Sequence, residues 1–132
     1  MTKIFDPQVL LTNNVFAQKV YNSSLTKWSR YKTREVMVGD VGIGGNNPVR
    51  IQSMTTTDTM NTIATVEQSI RMIEAGCELV RITAPSLKEA QNLEVIKKEL
   101  KARGYNTPLI ADIHFTPNAA DLAARLIETV RV

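Results

Sequence analysis

The sequence predicts an α/β fold: the N-terminal half of a TIM (β/α)8 barrel, with parallel strands alternating with helices and a β-hairpin in front. Three observations carry this reading. Short apolar stretches alternate with helix-periodic ones from Val49 onward, each strand has one apolar and one polar side, and the polar side gains charge towards the carboxyl ends. Strands separated by about a dozen residues or more of helix must run parallel, because a tight turn can close only an antiparallel pair.

Residues 1–30 show no sustained period and are rich in Asn, Ser, Thr and Gln, so they read as a weakly structured leader with a short helix around Val9–Tyr21. Residues 31–132 are the organised part. Glu35–Val38, Gly39-Asp40 and Val41–Ile43 make a tight hairpin, although Asp-Gly in that order would be the stronger turn signal. Gly44–Pro48 is a loop by composition. The Gly42-x-Gly44-Gly45 group precedes a strand, not a helix N-terminus, so it reads as a turn and not as a phosphate cradle.

Val49–Met54 is the first parallel strand. Thr62–Ala75 follows as a helix with Ile63, Val66, Ile70 and Ile73 at helical spacing, and Gly76 sits where a helix ends. Leu79–Thr83 is the second strand. Ser86 and Glu89 have capping-box spacing ahead of a helix with Leu93, Ile96 and Leu100 on one face, ending at Gly104. Leu109–His114 is the third strand. Thr116-Pro117 gives a cap followed by proline at the first helical position, leading into Ala119–Glu128, and Thr129–Val132 begins a fourth strand.

A doubly wound sheet and a (β/α)8 barrel share this order of elements. No G-x-G-x-x-G follows any strand, which weakens the dinucleotide-binding version. Strand parity separates the two further, since residues i and i+2 share a face. One face carries Val49, Ile51, Val80, Ile82, Leu109, Ala111, Ile113, Val130 and Val132; the other carries Gln52, Met54, Arg81, Thr83, Asp112, His114 and Arg131. A sheet with helices on both sides should be apolar on both. A barrel whose bore opens into a polar mouth predicts what is seen. A full barrel needs about 250 residues, so these four strands cannot close one, and the stop after Val132 reads as a truncation. The unpaired edge of the fourth strand would favour association, for which a homodimer is one form.

Composition narrows the function class. With 132 residues and 43% hydrophobic content the chain can bury a core, and a net charge of +3 with dispersed basic residues gives no nucleic-acid surface. The single cysteine, Cys77, excludes an internal disulfide framework and any multi-cysteine metal site in this chain. No apolar run approaches the roughly 18 residues of a membrane span, and the N-terminus lacks a secretory signal, so a cytoplasmic location is expected.

Arg81, Asp112, His114 and Arg131 converge at the carboxyl ends of the second, third and fourth strands, where barrel enzymes place their sites. Two guanidinium forks there suit the oxygens of a diphosphate. Asp112 and His114 share a face and are the catalytic candidates, able to orient a hydroxyl or move a proton. Each has a plainer alternative: an Arg81–Asp112 structural pair, a satisfied histidine at a strand end, a solvated terminal arginine. The Thr55–Thr59 run either offers hydroxyls to phosphate or forms a polar connection. Cys77 reads as a packing residue.

Ile51-Gln52-Ser53-Met54-Thr55, Leu79-Val80-Arg81-Ile82-Thr83, Ala111-Asp112-Ile113-His114-Phe115 and Val130-Arg131-Val132, in this order and spacing, resemble the 4-hydroxy-3-methylbut-2-enyl diphosphate synthase family over about residues 31–132. The resemblance implies a TIM barrel joined to a carboxyl-terminal domain with a 4Fe-4S cluster. It implies an iron–sulfur oxidoreductase that converts 2-C-methyl-D-erythritol 2,4-cyclodiphosphate to 4-hydroxy-3-methylbut-2-enyl diphosphate in non-mevalonate isoprenoid biosynthesis. Flavodoxin or ferredoxin would supply single electrons. Arg81 and Arg131 would bind the diphosphate, Asp112 and His114 would line the substrate site, and Ser53 and Met54 would form its floor. The chain departs from the family's pattern in two ways. The cluster-ligating cysteines lie outside it, Cys77 matching none, and the Asn-Pro-Gly that continues the fourth strand is not reached. The 30-residue leader points to the longer, insert-bearing type found in plants and some bacteria. A dihydropteroate-synthase-like anion-binding barrel and a non-enzymatic phosphate-binding fragment are the competing readings.

Overall fold

A computed structural model describes Thr26, Lys27 and residues 31–132; the helix expected over Val9–Tyr21 lies outside the described residues. Strands β1 (Val36–Val38) and β2 (Val41–Ile43) form the antiparallel hairpin, with Val38 opposite Val41. Gly39 has φ +57°. Asp40 does not share the positive φ, which fits a type II′ turn, and that turn takes glycine first; the Gly-Asp order is therefore the right one here.

Four parallel strands follow in spatial order β3 (Gln52–Met54), β4 (Leu79–Thr83), β5 (Leu109–Asp112) and β6 (Thr129–Arg131). Consecutive strands are neighbours, as short crossovers through α1 (Thr62–Glu74), α2 (Leu87–Ala102) and α3 (Pro117–Leu126) require. Both long helices end in a Schellman motif with glycine at the left-handed position. After α1 the Gly76 amide donates to Ile73 and that of Cys77 to Met72; after α2 the Gly104 amide donates to Lys101 and that of Tyr105 to Leu100.

Helix starts follow the sequence less evenly. Asn61 caps α1 by accepting from the Ala64 amide at 3.2 Å. Ser86 caps α2 by accepting from the Lys88 amide, and its hydroxyl donates to Glu89. Ser86→Ala should therefore cost about 1 kcal/mol of stability, read as a lower urea midpoint. An unchanged midpoint would show that the cap is idle. Thr116 does not cap α3, contrary to expectation: its hydroxyl lies on the carbonyls of Pro85 (3.1 Å) and His114 (3.0 Å), tying the β5–α3 loop to the β4–α2 loop.

The helix-side core contains Val80, Ile82, Leu109, Ala111 and Ile113 against Val66, Leu93, Ile96, Leu100, Ala119 and Ala123, with Val130 packed at its margin. The apolar parity is thus right for β4, β5 and β6. It fails for the first strand, where Val49 and Ile51 are exposed and only Gln52–Met54 is strand. The reason is position: β3 is the edge of the sheet, and α1 crosses towards β4, leaving the outer side of β3 uncovered. Ile63 is exposed too, while Thr65 and Ser69 are buried in α1. Their hydroxyls make this possible, Thr65 donating to the Asp58 carbonyl and Ser69 to that of Thr65. The third strand ends at Asp112 and α3 at Leu126, each two residues short of expectation; Ile127 is already extended on the way into β6.

On the opposite face of the sheet, Val38 and Val41 of the hairpin pack on Leu79 and Ile110 at the start of β4 and β5. Arg50 fastens the hairpin to the sheet by donating to the Gly42 carbonyl (2.8 Å) and to Glu78 (2.9 Å). Glu78 also accepts from the Ile51 amide, and these contacts hold its carboxyl below the usual range.

Candidate anion site at the strand ends

The face that is apolar at Leu79 and Ile110 becomes charged two residues later along each strand. Thr83, Asp112 and Arg131 stand in one row across β4, β5 and β6, with Arg81 and Met54 one row below. Asp112 is the hub. Its Oδ2 accepts from Arg81 at 2.7 Å and its Oδ1 from Arg131 at 2.9 Å, while His114 Nε2 lies 3.3 Å from Oδ2.

Burial divides these groups sharply. The Asp112 side chain is 2% exposed, that of Arg81 21%, of His114 48% and of Arg131 59%. Burial pushes the Asp112 carboxyl up, but the hydrogen bonds and charges of Arg81 and Arg131 outweigh it and hold the group below its ordinary value. Two arginines on one carboxylate leave an excess positive charge. Arg81 Nε is buried without a hydrogen-bond partner, a donor whose desolvation is uncompensated.

Of the residues singled out from the sequence, the structure brings together Arg81, Asp112, His114 and Arg131, with Met54 beside Arg81. It does not bring Ser53: paired with Val80, Ser53 lies on the helix side of the sheet, across from the cluster. The alternative Arg81–Asp112 ion pair exists, and it coexists with the convergence of the second arginine. The threonine loop is a structural connection. Thr57 hydrogen-bonds Thr65, Thr59 donates to the Thr83 carbonyl at 2.6 Å, and Gln68 accepts from the Thr56 and Thr57 amides. Phe115 is the feature that sequence reasoning missed: it is fully exposed with φ +53°, unusual for a bulky residue. Nothing in its residue type signals this.

The chain's own residues do not fit a 4Fe-4S cluster. Its one cysteine, Cys77, is buried among core side chains with Sγ 2.9 Å from the Leu79 carbonyl, and no group of three potential metal ligands occurs among the described residues. No helix of the described residues is long and apolar enough to cross a membrane.

Parallel strands alternating with helices, carrying an arginine–carboxylate cluster at their carboxyl ends, define a partial (β/α) barrel with a candidate anion site. The family model described as the GcpE TIM-barrel domain matches residues 33–132, and the chain belongs to that family. Similar proteins include those of Akkermansia muciniphila (51% identical over 115 residues, 87% of this chain and 20% of theirs) and Parabacteroides distasonis (54% over 105 residues, 80% and 17%). A third, from Chlorobaculum tepidum, is 40% identical over 131 residues, 99% of this chain and 17% of its own. All three are named 4-hydroxy-3-methylbut-2-en-1-yl diphosphate synthase (flavodoxin). The chain spans about a fifth of the length of these curated relatives.

Proposed function

We propose that this chain is the diphosphate-anchoring part of a flavodoxin-dependent 4-hydroxy-3-methylbut-2-en-1-yl diphosphate synthase, an oxidoreductase of non-mevalonate isoprenoid biosynthesis. The observation that carries the reading is the convergence of Arg81 and Arg131 on one buried carboxylate at the strand ends. The names of the relatives support the reaction and the electron donor, with ferredoxin as the alternative donor. Arg81 and Arg131 hold the diphosphate of the cyclic substrate, His114 faces it from the end of β5, and Met54 lies beside Arg81. The whole protein works in the cytoplasm, with residues 31–132 as the first part of its barrel, and a homodimer is compatible with the open edge of β6.

A 4Fe-4S cluster, as the family resemblance implies, would supply the electrons for reductive ring opening, and its ligands would have to come from residues other than those of this chain. The test is turnover of 2-C-methyl-D-erythritol 2,4-cyclodiphosphate by the full-length protein with reduced flavodoxin. No product with either flavodoxin or ferredoxin would defeat the proposal. A companion prediction concerns the 132 residues alone. Purified, they should contain no stoichiometric iron and show no turnover, having a single cysteine to offer. Iron–sulfur absorbance in that preparation would contradict it.

A further inference from the structure

A carboxylate in an anion site is an electrostatic liability, so its presence calls for a reason. Asp112 is nearly sealed from solvent, which leaves it little surface with which to touch a ligand. Each oxygen is already committed, Oδ2 to Arg81 and Oδ1 to Arg131. Proton transfer is ill suited to it as well, since two guanidiniums keep it charged. What remains is its effect on its neighbours.

Each arginine lends Asp112 one terminal nitrogen, Nη2 of Arg81 and Nη1 of Arg131, and a guanidinium has five N–H donors. Each fork therefore keeps its other terminal nitrogen uncommitted to Asp112. A free arginine loses much rotamer freedom when it grips an anion; one already pinned has given that freedom up during folding. Arg131 profits most, because its side chain is mostly exposed and Asp112 is the one side chain to which it is hydrogen-bonded among the described residues.

We infer that Asp112 is a positioning residue, which holds the guanidiniums of Arg81 and Arg131 at a fixed spacing from the middle strand so that together they receive a diphosphate. The inference rests on the anion-binding reading above and adds a role that reverses the expected sign of a mutation. By charge alone, neutralising Asp112 should tighten anion binding. As a positioning residue, its neutralisation should loosen it.

The experiment is calorimetric titration of the full-length protein with inorganic pyrophosphate. Asp112→Asn should weaken binding about tenfold, the scale of one charge-assisted hydrogen bond's worth of ordering. In an Arg131→Ala background the same change should cost much less, because one of the two groups it acts through is gone. In turnover the loss should fall on KM and spare kcat, as for binding that is equal in ground and transition states. Affinity that is unchanged or tighter in Asp112→Asn overturns the inference, and so does an equal cost in both backgrounds. Should Asp112→Asn fail to fold, Asp112→Glu decides. It keeps the charge but displaces the carboxylate by a methylene, so several-fold weaker binding supports positioning and unchanged affinity overturns it. Failure of the underlying reading looks different: Arg81→Ala and Arg131→Ala would then leave pyrophosphate affinity untouched, and both proposals fall.

Discussion

Replacing Arg81 by Ala in the full-length protein will weaken substrate binding by about 1.5–3 kcal/mol, the range for losing charged hydrogen bonds in a partly desolvated site. Arg131→Ala will fall at the lower end, because its side chain is 59% exposed and water already screens it. Lysine at either position should rescue only in part. It restores the charge but not the planar fork, and at position 81 it cannot both satisfy Asp112 and present further donors in the same plane. Equilibrium binding of the cyclic diphosphate, measured beside circular dichroism of each variant, checks this. Intact fold with unchanged affinity in both alanine variants would show that the charges are structural and that no diphosphate sits there. His114→Ala should mainly lower turnover if it moves a proton, and mainly affinity if it only anchors a hydroxyl.

The second large effect is on stability. Asp112→Ala should destabilise the fold by about 3 kcal/mol, because it strands Arg81, mostly buried, without its counter-charge. Arg131→Ala removes a largely exposed partner of the same carboxylate and should cost under about 1 kcal/mol. Urea midpoints of the two variants measure the contrast, and equal midpoints would refute it. The pH dependence follows from the same contacts. Asp112 ionises more readily in the folded chain than in the unfolded one, so its contribution is complete above the unfolded carboxyl's value of about 4. It is lost as pH falls through the lower, folded value. Glu128 behaves alike: burial raises its carboxyl, but Lys97 and the Leu109 amide more than compensate.

The alternation of Val80, Arg81, Ile82 and Thr83 was enough to say which side of β4 meets helices and which meets the site, since a strand allows only two answers. The ends of α1 and α2 were equally legible, because glycines at 76 and 104 fit the left-handed position that closes a helix. Elsewhere the information is not local. Val49 and Ile51 look like core and would be core beneath a covering layer, but covering depends on neighbours across an edge, and β3 has none on that side among the described residues. Ile63 and Thr65 exchange the places that hydropathy assigns them, because a hydroxyl bonded to a nearby carbonyl buries as easily as a methyl group. Thr116 has the residue type of a cap, and a competing pair of carbonyls takes its hydroxyl instead.

For the site, residue type and parity located the cluster, while its wiring was beyond them. The sequence placed Arg81, Asp112 and Arg131 on one face without showing that a single carboxylate takes both arginines, which depends on the stagger that puts Asp112 level with Arg131 and one row beyond Arg81. Ser53 marks the opposite case. The resemblance grouped it with Met54 by adjacency in sequence, yet adjacent strand residues point to opposite sides.

The hairpin resting on Leu79 and Ile110 has a bearing on traffic. It covers the same side of the sheet that carries the cluster, at the end where the strands begin, so on that face the arginines are approached from the end where the strands finish. Under the proposed function, a product that keeps the diphosphate would keep the part of the molecule the arginines grip, and that grip would slow its departure. Departure would then compete with the next arrival, and a bare diphosphate in solution would contend for the same two arginines.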